Sequence, residues 1–218
     1  MRKAQVTLFI IIGLVALLSF AGFIAYKTGL HKKILFWMQP TDVQVYVEKC
    51  LDQELERGLV EVGMARGESV DAIFANVSYS LDGFDSLIAS YVISSMPSCI
   101  EDFKAFPKYS IESGEMSAQI TLTDNAVLAK LDWPLLINQS NKLKSLTTFR
   151  AEKSIRLKEM IKTAKHIQQS RRYNLTYLDS IPFNTTIYTY PGFQAVVLED
   201  ASLKIRGEAY RLGFAVDR

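Results

Sequence analysis

Histidine and cysteine are scarce in this 218-residue chain, two of each. The four residues, His31, Cys50, Cys99 and His166, stand at no ligand-like spacing, so they make no structural zinc site by themselves. G-x-S-x-G, the Walker A loop, G-x-G-x-x-G, H-E-x-x-H and C-x-x-C are all missing. The one nucleophile–base combination left is Cys50 or Cys99 with His166, and it requires a free thiol. We therefore expect no enzyme, no cofactor, no metal and no catalytic residue. Internal repeats and low-complexity tracts are absent as well.

Charge is missing altogether from residues 4–26, AQVTLFIIIGLVALLSFAGFIAY. At ~1.5 Å per residue such a helix is roughly 34 Å long, enough to cross a hydrocarbon core of ~30 Å with some tilt. Thr7, Ser19 and the glycines share no face, so the stretch lacks the polar stripe of a soluble helix. An ordinary secretory signal cut near Ala25 would have a shorter apolar core and a better small-x-small site. The expected organisation is a basic leader over 1–4, a transmembrane helix over 5–28, a juxtamembrane linker over 29–41, and one domain over 42–218. Its linker mixes Lys32 and Lys33 with Ile34, Leu35, Phe36 and Trp37, a headgroup-level composition, and Pro40 ends it.

Orientation does not follow from basic flanks, because Arg2 and Lys3 on one side face Lys27, Lys32 and Lys33 on the other. Two other features break the tie. Cys50 and Cys99 both lie beyond the apolar stretch, and a disulfide between them is favoured over two buried, unreacted cysteines in an oxidising compartment. Four of the six asparagines, Asn76, Asn138, Asn174 and Asn184, begin N-x-[ST] sequons, where chance gives about one. Both place the C-terminal domain outside the cell membrane.

The order Arg2-Lys3-Ala4-Gln5-Val6-Thr7 resembles the class III signal of archaeal type IV pilins and pilin-like proteins. In that family a basic and a small residue precede the cut, and glutamine begins the mature chain; Lys3, Ala4 and Gln5 match. The resemblance implies cleavage between Ala4 and Gln5, and an apolar helix that first anchors the precursor and later packs in a filament core. Phe9 stands where the family usually carries a glutamate, and the break at Pro40 interrupts a helix that pilins often continue into the head. The remainder is similar to archaeal membrane-anchored proteins with a pair of cysteine-bearing helices before a sheet, which implies no activity.

Along the domain, Val43, Val47, Cys50, Leu51, Leu55, Leu59 and Val62 recur at helical spacing and predict a helix over 43–64. Its acids Glu48, Asp52, Glu54, Glu56 and Glu61 read as a solvated face, without the spacing of a calcium loop. A short strand is expected over 76–81, then helices over 84–95 and 98–106 separated near Pro97. Cys99 would tie the second of these to Cys50. Period-two alternation over 116–123 and 126–133 around Asp124-Asn125 predicts a hairpin closed by Pro134, with a further short strand over 146–149. Residues 154–169 form a basic amphipathic helix, apolar at Ile155, Leu157, Met160, Ile161, Ala164 and Ile167. Strands are expected over 185–190, 194–198, 202–205 and 209–216, with Tyr188 and Tyr190 stacking across strands or presenting an aromatic surface.

Charge is bipolar along the chain: residues 42–104 carry twelve acids against four bases, and 142–172 ten bases against two acids. The basic helix is read as a solvated face, with docking to the acidic helix or contact with lipid as alternatives. No nucleic-acid motif accompanies it, and no nucleic-acid partner is expected. The whole reads as an α+β extracytoplasmic domain, a helical pair and an antiparallel sheet, on one membrane helix. Its expected role is a cell-surface structural or adhesive protein, a pilin-like subunit whose partners are the lipid bilayer and other copies or proteins. The alternative is a membrane-tethered binding module without filament assembly.

Overall fold

The computed structural model describes residues 14, 41–63, 81–139, 142–170, 178 and 180–217. Lys3, Ala4, Gln5, Asn76 and Asn174 lie outside these residues, as does all of the apolar stretch but Leu14. No helix among the described residues is long and apolar enough to cross a membrane. From Val43 onward the described residues belong to one compact unit.

That unit is α+β. Helix α1, Asp42–Gly63, buries the expected stripe of Val43, Val47, Cys50, Leu51, Leu55 and Leu59, but the buried surface is wider and takes in Glu54 and Gly58. Gly58 is small for a reason: a Cβ there would stand 2.9 Å from the Tyr91 ring of the next helix. Helix α2 runs Phe84–Ile100 and starts from Gly83, whose φ of +77° suits glycine. It buries Phe84, Ile88, Val92, Met96 and Ile100 at intervals of four.

One expectation fails in this region. Pro97 does not separate two helices; it sits inside α2, in the last turn, and a 3₁₀ turn at Glu101–Phe103 follows. The ring removes the bond to the carbonyl of Ile93, which lies on the exposed side where water reaches it. The strand expected over 76–81 falls outside the described residues except for Leu81, which is buried in a bend.

The strands make two antiparallel sheets rather than one. In the first, β1 (Ser110–Ser113) and β2 (Ser117–Leu122) lie end to end along one side of β3 (Val127–Gln139), and β4 (Lys142–Lys153) pairs along the other. The β2–β3 hairpin turns at Asp124-Asn125 as expected, closed by the Thr123 N–H donating to the Ala126 carbonyl at 2.9 Å. In β3 the residues Val127, Ala129, Leu131, Trp133, Leu135 and Ile137 all face inward, the strict alternation of a sheet with one wet face. Pro134 does not end this strand. It occupies the break in register with β4 between Asp132 and Leu135, where a missing N–H costs no ladder bond, and its carbonyl accepts from Gly114 N–H at 2.8 Å. The short strand expected over 146–149 is the middle of β4.

Helix α3, Leu157–Gln169, buries Leu157, Met160, Ile161, Ala164 and Ile167 as the spacing requires. The second sheet is a meander of β5 (Asn184–Thr189), β6 (Phe193–Ile205) and β7 (Glu208–Asp217), with the two strands expected over 194–205 joined into one. Helix α2 packs against β2 and α3 against β7. One continuous core, including Leu51, Leu55, Leu131, Phe149, Leu157 and Phe214, joins the helices to both sheets.

Candidate functional site

Cys50 on α1 and Cys99 on α2 are joined as a disulfide, with Cα atoms 5.8 Å apart at a sequence separation of 49. Beside it the Tyr46 hydroxyl donates to the carbonyls of Cys99 and Ile100 at 3.1 and 3.4 Å. The pair occupies both sulfurs, so neither is available to act with His166 as a nucleophile.

Of the α1 acids expected on a solvated face, Glu54 is buried, and Asp52 and Glu56 are ion-paired although partly exposed. Lys153 at the end of β4 donates to Asp52 Oδ2 and Glu56 Oε2, both at 2.8 Å, and Arg206 in the β6–β7 turn donates to Glu56 Oε1 at 3.0 Å. The Lys153 hydrogen bond holds the Glu56 carboxyl below its ordinary range against the effect of burial. Burial pulls Lys153 down, but the two carboxylates outweigh it and the ammonium ends raised. Glu54 is 1% exposed; its Oε1 accepts from Arg57 at 2.5 Å, and its Oε2 has no hydrogen-bond partner. A buried carboxylate oxygen without a partner is costly. The Tyr210 hydroxyl on β7 donates to the Leu59 carbonyl at 3.2 Å, and complete burial raises its pKa.

A second polar clasp ties the start of α3 to β6. Arg156 reaches Asp200 with two nearly parallel bonds, Nε to Oδ2 at 2.8 Å and Nη2 to Oδ1 at 2.9 Å, while Ser202 donates to Oδ1 at 2.5 Å from its hydroxyl and 3.1 Å from its N–H. Burial pushes Asp200 up, and these bonds overcome it and hold the carboxyl below its usual value. The guanidinium also lies 5.0 Å from the centre of the Phe183 ring. Nothing in the sequence marks Arg156 and Asp200 as a pair, because they stand 44 positions apart and Asp200 lies at a β6 register shift that only strand pairing reveals.

The surface of α3 borders a groove of about 740 Å³. Its described lining includes Lys158, Glu159, Ile161, Lys162, Lys165 and His166 of α3, together with Ser180, Ile181 and Pro182 ahead of β5. The basic helix does not dock on the acidic one. Lys158 pairs instead with Asp124 of the β2–β3 turn at 2.8 Å, and Lys165 with Asp82 before α2. A smaller depression of about 490 Å³ on the first sheet is lined by Gln119, Thr121, Leu128, Lys130, Arg150 and Glu152, and carries both signs of charge.

Of the sequon asparagines, Asn138 on β3 and Asn184 at the start of β5 are exposed; Asn76 and Asn174 are not described. Tyr190 stacks on Phe193 at 5.0 Å across the β5–β6 turn rather than on Tyr188, which is exposed. Among the described residues no group of three or more His, Cys, Asp or Glu side chains converges as metal ligands do. No known protein family model matches the chain, and no curated protein matches it significantly.

Proposed function

We propose that the chain is a single-pass, membrane-anchored cell-surface protein whose α+β domain lies outside the cell, and that it acts as a pilin-like structural or adhesive subunit. The observation that carries this reading is the uncharged run over 4–26 directly after Arg2-Lys3 and beginning with Ala4-Gln5. Gly13, Ala21, Gly22 and Ala25 within it permit close lateral packing of such helices. The Cys50–Cys99 pair and the exposed Asn138 and Asn184 suit an oxidising, extracytoplasmic setting.

A membrane-tethered binding module is the second reading, favoured by the lysine-lined groove on α3, which a purely structural subunit does not need. Intact mass of the native protein, before and after reduction with thiol alkylation, tests the first reading. We expect loss of residues 1–4 and two alkyl groups gained only after reduction. A chain that keeps Met1, remains monomeric and alkylates without reduction would overturn it. Filaments in purified surface material would favour the subunit over the binding module.

A further inference from the structure

We propose that the groove beside α3 binds a linear polyanion of the acidic-saccharide class, a sugar chain bearing carboxylate or sulfate groups. Lys158, Lys162 and His166 follow one another at four-residue intervals along the exposed side of α3, with Lys165 at the margin. From Lys158 to Lys165 the helix rises about 10 Å, so the three lysine ammonium groups recur roughly once per turn of ~5.4 Å. An extended chain with one acid per sugar unit can follow that repeat.

The acid among the described lining residues, Glu159, is 3.8 Å from Arg156, which moderates its repulsion of an incoming anion. Asp124 and Asp82, the partners of Lys158 and Lys165, are 83% and 80% exposed, and they do not line the groove. Ion pairs that open to solvent contribute little, so a ligand anion replaces them at small cost. Ile161, Ile181 and Pro182 provide apolar contact for the C–H faces of sugar rings.

Shape decides against lipid as the occupant. A bilayer is met by a convex face with protruding apolar side chains, whereas this site is concave, with Ile161 buried and Ile181 half-buried. The depression on the first sheet is the weaker candidate, because Glu152 lies within it and Asp132 binds Lys130 at its edge. The inference rests on the groove and holds whether or not the chain assembles into filaments.

The test is calorimetric titration of the full chain, kept in a neutral detergent, with hexagalacturonate and with a heparin hexasaccharide, against neutral maltohexaose. We expect saturable binding of at least one acidic chain and none of maltohexaose. Affinity should fall about tenfold or more in Lys158→Gln/Lys162→Gln, as expected for loss of charged contacts. It should be kept by Lys158→Arg/Lys162→Arg and by the charge-matched control Lys142→Gln/Lys144→Gln. Failure of both acidic chains to bind overturns the proposal, as does an equal loss in the control. So does co-sedimentation with phosphatidylglycerol vesicles that depends on Lys158 and Lys162 while neither saccharide binds.

Discussion

In α1 Asp52 and Glu56 pair with Lys153 of β4 and Glu54 is buried against Arg57 of its own helix, while in α3 Lys158 and Lys162 stay at the surface and, among the described residues, Lys158 and Lys165 pair with exposed loop aspartates. The two helices carry opposite charge in sequence at similar density. Their surroundings differ: α1 is contacted by α2 through the disulfide, by β4 through Lys153, by the β6–β7 turn through Arg206 and by β7 through Tyr210. Helix α3 leans its apolar face on β7, where Gln168 donates to the Ala215 carbonyl at 2.8 Å, and carries the exposed Lys158 and Lys162 on its other face. A charged residue on an enclosed helix becomes a structural tie, and the same kind of residue on a peripheral helix remains available to a ligand.

The strongest way to break this contrast is to remove the staple on α1. Closing a loop of 49 residues stabilises by roughly 4 kcal/mol in the chain-entropy account. Cys50→Ala/Cys99→Ala, or reduction of the native protein, should therefore lower the free energy of chemical denaturation by about that amount. A change below about 1 kcal/mol would mean that the α1–α2 contact does not depend on the bond.

Next in size is the clasp between α3 and β6. Arg156→Ala leaves the Asp200 carboxylate, 1% exposed, without its partner, and should cost about 3 kcal/mol. The pH dependence gives the sign. Asp200 is held below its ordinary value, so its contribution is complete above the unfolded carboxylate value near about 4 and is lost as pH falls through the folded one. In Arg156→Ala the deserted carboxylate gains from protonation instead. The stability gap between the two proteins should narrow as pH falls from 7, and a gap that is constant from neutral pH to acid would remove Asp200 from the account.

Smaller again is Lys153→Met, which keeps the aliphatic stem but frees Asp52 and Glu56; we expect a loss of about 1–2 kcal/mol in urea denaturation. Smallest is Lys158→Gln, whose exposed pair with Asp124 should change thermal stability by no measurable amount. Should Lys158→Gln destabilise as much as Lys153→Met, the distinction between a tied helix and an open one fails.

Much of the fold is legible in the local pattern. The 3.6-residue stripe of α1 and α3, the period-two run of β3 and the Asp124-Asn125 turn each depend on side chains adjacent in sequence, and each takes the expected form. Pro97 and Pro134 mislead because a proline need not end an element: Pro97 gives up one helical bond, to the carbonyl of the exposed Ile93, and Pro134 sits at the register break of β3, where no ladder bond is lost. The pairing of Cys50 with Cys99 follows from the count of two, whereas β1, which pairs with Ile137 and its neighbours from four residues of mixed polarity, has too short a period to announce itself.

By itself, the sequence determined which segments are helix or strand, which face of each is apolar, and that residues 4–26 carry no charge. Those properties come from backbone preference and from the order of neighbouring side chains. Only the tertiary structure decided that Lys153 and Arg206 rather than α3 neutralise α1, that Arg156 meets Asp200, and that Lys158, Lys162 and Lys165 line a groove with Ile181 and Pro182. Such contacts join residues tens of positions apart, and their energies depend on burial and distance, which exist only once the chain has closed on itself.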